Sequence, residues 1–132
     1  MARRTERQPA RPGFHTITPY VIVDDLESFL SFIKTVFDAT ETLRMQGGSG
    51  GTHVEVRIGD SMLMIGGGGG WSGTSLPAAL YLYIDDVDET FRHALAAGAT
   101  AMMEPRDEED GDRRGGIEDP FGNMWFIARH QG

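Results

Sequence analysis

No cysteine occurs in the 132 residues. That excludes a disulfide framework, a thiol nucleophile and any Cys-ligated zinc or iron–sulfur centre. Long apolar runs are missing as well: none approaches the roughly 18 residues needed to span a bilayer. The opening MARRTERQPARPG carries charge with no apolar stretch behind it, so it does not read as a secretory signal. A cytoplasmic location with no membrane partner is the expectation. Positive charge is scarce beyond that first stretch. The formal net charge is −8, and four arginines (Arg3, Arg4, Arg7, Arg11) against Glu6 make residues 1–13 +3 and leave −11 for the body. Such a body repels a phosphate backbone, so no nucleic-acid partner is expected, while cationic small molecules are tolerated or attracted. Residues 1–13 read as a solvated, disordered basic tail.

Several chemistries lack their signatures. The glycine run that starts at Gly66 has no GK[ST] ending and no helix behind it, so it is not a phosphate loop. Ser61, Ser72 and Ser75 have no nucleophile-elbow context. The acidic run 107–110 lacks calcium-loop spacing and reads as a solvated loop.

What is present is a hydrophobic content of 39%, enough at this length for one compact core and not for two. HTITPYVIV (15–23) is β-branched and apolar and reads as a strand, with Pro19 pointing to an edge position. Leu26, Phe29, Leu30, Ile33 and Phe37 then follow helical spacing, with Asp24 as the expected N-cap and Glu27 completing a capping-box-like start. ETLRM, THVEVRI and SMLMI read as strands, with a tight turn at Gly59-Asp60. Residues 67–77 are a Gly-rich connector. LYLYI is a strand, and a second helix follows with Val87, Phe91, Ala94 and Leu95 on one face, Asp85 as cap and Gly98 as stop. ATAMMEP, GGIED and NMWFIARH are the remaining strands, with 105–114 a charged loop.

The order is βαβββ, connector, βαβββ, and the two halves match residue by residue. A shift of 61 lays Tyr20 on Tyr81 and Asp24-Asp25 on Asp85-Asp86. A shift of 60 lays Ala39-Thr40 on Ala99-Thr100, and one of 62 lays SMLMI on NMWFI. Three matched segments in one order mark an internal repeat. The expected fold class is α+β, with tandem units 14–66 and 78–130 in a single domain, 14–130. Alternation places Val21, Val23, Val54, Val56, Ile58, Leu63 and Ile65 under the first helix. It places Leu80, Leu82, Ile84, Ile117, Trp125 and Ile127 under the second. The opposite sheet faces, curved by twist, are expected to enclose a cleft.

The paired units, the strand–Asp-Asp–helix starts, GDR (111–113) and EDPFGNMW (118–125) together resemble the vicinal oxygen chelate superfamily, which includes glyoxalase I, extradiol dioxygenases and bleomycin-resistance proteins. HTITPYVIV, HVEVRIGDSMLMI and GDRRGGIEDPFGNMW are most similar to its PhnB-like branch. The resemblance implies the glyoxalase/bleomycin-resistance fold and a homodimer. It also implies a divalent-metal site in catalytic members, held by His, Glu or Gln from the first and last strand of each unit. Carried over, those places fall on Thr18, Met64, Ala79 and Phe126. None of these holds a hard or borderline dication. His53 and Glu55 supply two donors with no obvious third.

Alternation gives the cleft Thr18, Tyr20, His53, Glu55, Arg57 and Met64 from unit one. Tyr81, Tyr83, Arg114 and Phe126 come from unit two, and Trp71 in the connector is a possible cover. A mostly aromatic and Met-lined surface with a few polar groups suits an organic ligand. The expectation is therefore a metal-free binder of an aromatic or cationic small molecule, drug or metabolite, with no cofactor and no assigned catalytic residue. A metal-dependent lyase or dioxygenase is one alternative, and a non-catalytic regulatory or binding partner the other.

Overall fold

The computed structural model describes residues 9–46, 50–68 and 77–132. Trp71 and residues 69–76 of the expected connector lie outside the described residues, as do residues 1–8. The chain runs β1 (Tyr20–Val23), α1 (Leu26–Phe37), β2 (Thr40–Gln46), β3 (Gly51–Ile58), β4 (Ser61–Gly68), β5 (Ala79–Tyr83), α2 (Val87–Ala96), β6 (Thr100–Asp107), β7 (Asp112–Glu118) and β8 (Met124–His130). It forms two four-stranded sheets, ordered β1-β4-β3-β2 and β5-β8-β7-β6. In each, the helix carries the chain over so that the first strand lies parallel to the last, and the other three make an antiparallel meander. The repeat is kept at the level of single rungs: Tyr20 pairs with Met64, and their counterparts Tyr81 and Phe126 pair with each other.

Both helices start at the second aspartate of the pair, not at the first as the sequence suggested. Asp25 accepts from the Ser28 amide at 3.1 Å and Asp86 from the Glu89 amide at 3.1 Å. The apolar stripe begins at Leu26 and Val87, so Asp24 and Asp85 sit one residue too early to reach the free amides. Each cap is worth about 1 kcal/mol. Gly98, at φ +105°, follows the end of α2 as expected.

The core is continuous across the repeat. Val21, Val23, Val54, Val56, Leu63 and Ile65 of the first sheet and Ile117, Trp125 and Ile127 of the second join one buried cluster with both helices. Ile58, Leu80, Leu82 and Ile84 pack at its margin. Trp125 also meets α1: its ring lies 4.6 Å from Phe37 and 6.5 Å from Phe29 between centroids. Phe121 joins the same aromatic group, edge-on to Phe29 at 5.6 Å and to Phe32 at 6.3 Å.

Three boundaries differ from expectation. β1 begins only at Tyr20, because Pro19 lacks an amide to donate; only its carbonyl joins the ladder, accepting from the Met64 amide at 3.0 Å. β1 is an edge strand, as Pro19 indicated. β4 runs through Gly68, past the expected unit boundary at 66. Gly66 and Gly67 are buried there, and a Cβ on Gly67 would stand 2.9 Å from Leu26 Cβ. Close approach of the strand to the start of α1 is what requires glycine. Finally, most of the charged loop expected over 105–114 is strand. Only 108–111 turn, because Arg113 ties Asp107 (3.2 Å) and Asp88 of α2 (2.9 Å) together across the hairpin. No helix among the described residues is long and apolar enough to cross a membrane.

Candidate functional site

The sheet face of unit one is built by ladder register. Glu55 and Tyr20 both pair with Met64, and His53 lies in the next row across Gly66. Alternation turns these side chains away from the core that Val54 and Val56 enter. Tyr20 Oη lies 2.9 Å from His53 Nδ1, and His53 Nε2 lies 2.9 Å from Glu55 Oε2. In a neutral ring this fixes the tautomer: Nε2–H donates to the carboxylate and Nδ1 accepts from the phenol. Arg11 donates to the same Oε2 from the segment before β1. That segment was read as a disordered tail through residue 13, yet residue 11 reaches the middle of the sheet. Glu55 is only 2% exposed. Burial pushes its carboxyl up, but the bonds from His53 and Arg11 outweigh that and hold it below its ordinary value. Burial, then the Glu55 charge, pushes the Tyr20 phenol up. Arg57, farther along β3, points outward and pairs with no carboxylate among the described residues.

Unit two carries a separate network on the equivalent face. Tyr81 donates to Asp112 Oδ2 at 2.7 Å and Tyr83 to the same oxygen at 3.0 Å, while His130 Nδ1 lies 2.8 Å from Oδ1. Arg114 donates to Tyr81 Oη at 2.8 Å and to Asp110 at 3.0 Å. Phe126 stacks on Tyr81 at 5.9 Å. The bond from Tyr81, followed by that from His130, holds the Asp112 carboxyl below its ordinary value. Burial pushes the Tyr81 phenol up, and the bond to Asp112 pushes up that of Tyr83. Thr18, Tyr81 and Tyr83 also border a groove of about 770 Å³ along the seam between the units, with Phe37, Ile58 and Leu80. The expected cleft residues thus divide: Tyr20, His53, Glu55 and Met64 come together on one sheet, and Tyr81, Tyr83, Arg114 and Phe126 on the other.

The metal places do not fit a metal. Thr18 spends its hydroxyl on the His15 carbonyl at 3.3 Å, Met64 and Phe126 stand on the equivalent rungs beside Tyr20 and Tyr81, and Ala79 has no donor at all. Among the described residues no three His, Asp or Glu side chains converge. A dication needs three or four hard or borderline donors at one point.

The fold and its motifs now have a family. A model of the Glyoxalase/Bleomycin resistance protein/Dioxygenase superfamily matches residues 13–127. The chain belongs to that superfamily. Among its relatives, protein Mb0911c of Mycobacterium bovis is 36% identical over 124 residues, covering 86% of this chain and 82% of that protein. TioX from Micromonospora sp. ML1 superposes with a TM-score of 0.69 at 21% identity, over 87% of this chain and 95% of its own. The fosfomycin resistance protein FosX from Mesorhizobium loti gives 0.65 at 24%, over 89% and 91%. At such identities these structures speak for the fold.

The DPFGN-x-W stretch (119–125) is structural in this chain. Asp119 Oδ1 accepts from the Phe121 and Asn123 amides at 2.8 and 2.9 Å. Its Oδ2 accepts from the Asn123 amide group at 3.1 Å and the Trp125 indole at 2.8 Å. Sequence reasoning missed four members of the networks: Arg11, Asp110, Asp112 and His130. Asp112 was recoverable, since it lies two residues before Arg114 on one strand and therefore shares its face. His130 follows from pairing with Asp112. Nothing in the local sequence marks Arg11.

Proposed function

We propose that this protein is a metal-free binder of an aromatic or cationic small molecule, of the PhnB-like kind, working as a homodimer in the cytoplasm. The observation that carries the reading is the exchange at the metal places. Thr18, Met64, Ala79 and Phe126 occupy the places that the resemblance assigns to metal ligands, and the sheet faces beside them present tyrosines and carboxylates. Tyr20, Met64, Tyr81 and Phe126 supply apolar and aromatic surface, while Glu55 and Asp112 favour positive charge. FosX is named for resistance to a drug, which puts drugs beside metabolites among the compounds to try.

A thermal-shift screen of aromatic and cationic compounds tests this. A ligand at 100 times its dissociation constant stabilises by about 2.7 kcal/mol. Loss of that shift in a Tyr20→Ala/Tyr81→Ala variant supports binding on these faces. Stoichiometric divalent metal in protein expressed without chelator would move the assignment to a metal-dependent lyase or dioxygenase. A screen with no stabilising compound would move it to a regulatory partner.

A further inference from the structure

Glu55 is a carboxylate that is 2% exposed, held ionised in the middle of a sheet face. A buried charge of this kind requires a cation. The cation it has is a loose fit. Arg11 comes from a segment outside the helices and strands, its side chain is 56% exposed, and it donates one nitrogen to one oxygen, Oε2, which His53 already shares. Among the described residues no donor reaches Oε1. A guanidinium is a planar fork matched to both oxygens of a carboxylate, so a buried oxygen without a donor marks an unfilled half of a bidentate site. The surroundings suit the same cation. Phe14 lies face-on to the Arg11 guanidinium at 4.5 Å, and the Arg11 segment encloses a hollow of about 640 Å³ with Met64, the direct ladder neighbour of Glu55, in its wall.

We infer that Glu55 is the anchoring subsite for a guanidinium or amidinium group on an aromatic ligand, and that Arg11 is its displaceable intramolecular stand-in. The inference rests on the small-molecule reading above and names the cation class that its unit-one face takes. The ligand forks onto Oε1 and Oε2, its aromatic part lies against Met64 and Tyr20, and Arg11 swings out to solvent. Arg11 thereby sets the apparent affinity, because ligand and guanidinium compete for one carboxylate.

Calorimetric titration of the full chain with benzamidine, and with neutral benzamide as control, tests the inference. If Arg11 leaves the site free about one tenth of the time, Arg11→Met binds benzamidine about tenfold tighter than the unmodified protein. Glu55→Gln abolishes binding in both backgrounds, and benzamide does not bind. In the unmodified protein, saturating benzamidine moves the Arg11 Nε–Hε resonance to its free position, a readout that does not depend on the variant folding. Equal affinity for Arg11→Met and the unmodified protein, benzamidine binding that survives Glu55→Gln, or an unmoved Arg11 resonance at saturation each overturns it. A screen ligand indifferent to both substitutions would leave the small-molecule reading standing and remove this subsite alone. The absence of any screen ligand would remove the broader reading first.

Discussion

Replacing Asp119 by alanine removes the acceptor of four donors at once. The Phe121 amide is half-buried and recovers water. Asn123 is 1% exposed and Trp125 0%, so the Asn123 donors and the indole N–H are left without a partner in the core. Each stranded donor costs about 1–3 kcal/mol. With part of the loss relieved by no longer burying a carboxylate, the variant should be about 3–5 kcal/mol less stable, a large share of the about 5–15 kcal/mol typical of a domain. For a chain of this size that lowers the Tm by about 10–20 °C. Urea denaturation followed by circular dichroism measures it. A cycle with Trp125→Phe isolates the indole bond, whose coupling to Asp119 should be about 1.5–3 kcal/mol because the acceptor is charged. Additivity within about 0.5 kcal/mol would refute the claim that the signature loop is held by this bond. So would a total loss below about 1 kcal/mol.

Glu55, Asp88 and Asp112 all ionise below their ordinary values when folded, through bonds from His53, Arg113 and Tyr81 respectively. Their contribution to stability is therefore complete above the unfolded carboxylate range near about pH 4 and is lost as pH falls through the lower folded values. Denaturation midpoints between about pH 7 and about pH 3 should fall on the acid side, and less steeply in Glu55→Gln. Gly67→Ala should cost about 1–3 kcal/mol by pressing its Cβ onto Leu26, measured by urea denaturation. Gly111→Ala meets both a φ of +95° and the His130 ring at 2.9 Å, so it should cost about 1–2 kcal/mol and shift the His130 imidazole resonances.

The repeat was the most legible feature, because Tyr20 and Tyr81 bind equivalent rungs and a one-residue slip would have turned the whole strand over. The buried faces followed from alternation. The helix caps were misplaced by one residue, since Asp24 and Asp25 are chemically equal and only backbone geometry separates them. The 105–114 stretch looked like a loop because its charges mask strand periodicity, yet those charges pair across the hairpin, which local composition does not express. Arg11 was illegible for a related reason: its partner lies 44 residues away, in a contact that no periodicity announces. Trp125 was rightly buried, but its contact with α1 was not foreseen, since alternation names a face and not all that covers it.

The aromatic group at the seam has a consequence for how this duplication can behave. α1 buries seven residues and α2 only three, and the first helix covers Trp125 of the second copy as well as its own sheet. The two copies have divided the labour and lost their interchangeability. Excising the first copy should uncover part of Trp125, and excising the second the phenylalanines packed on it, so the halves should melt together in one transition. What began as two equal units has become a lineage in which neither can be inherited alone.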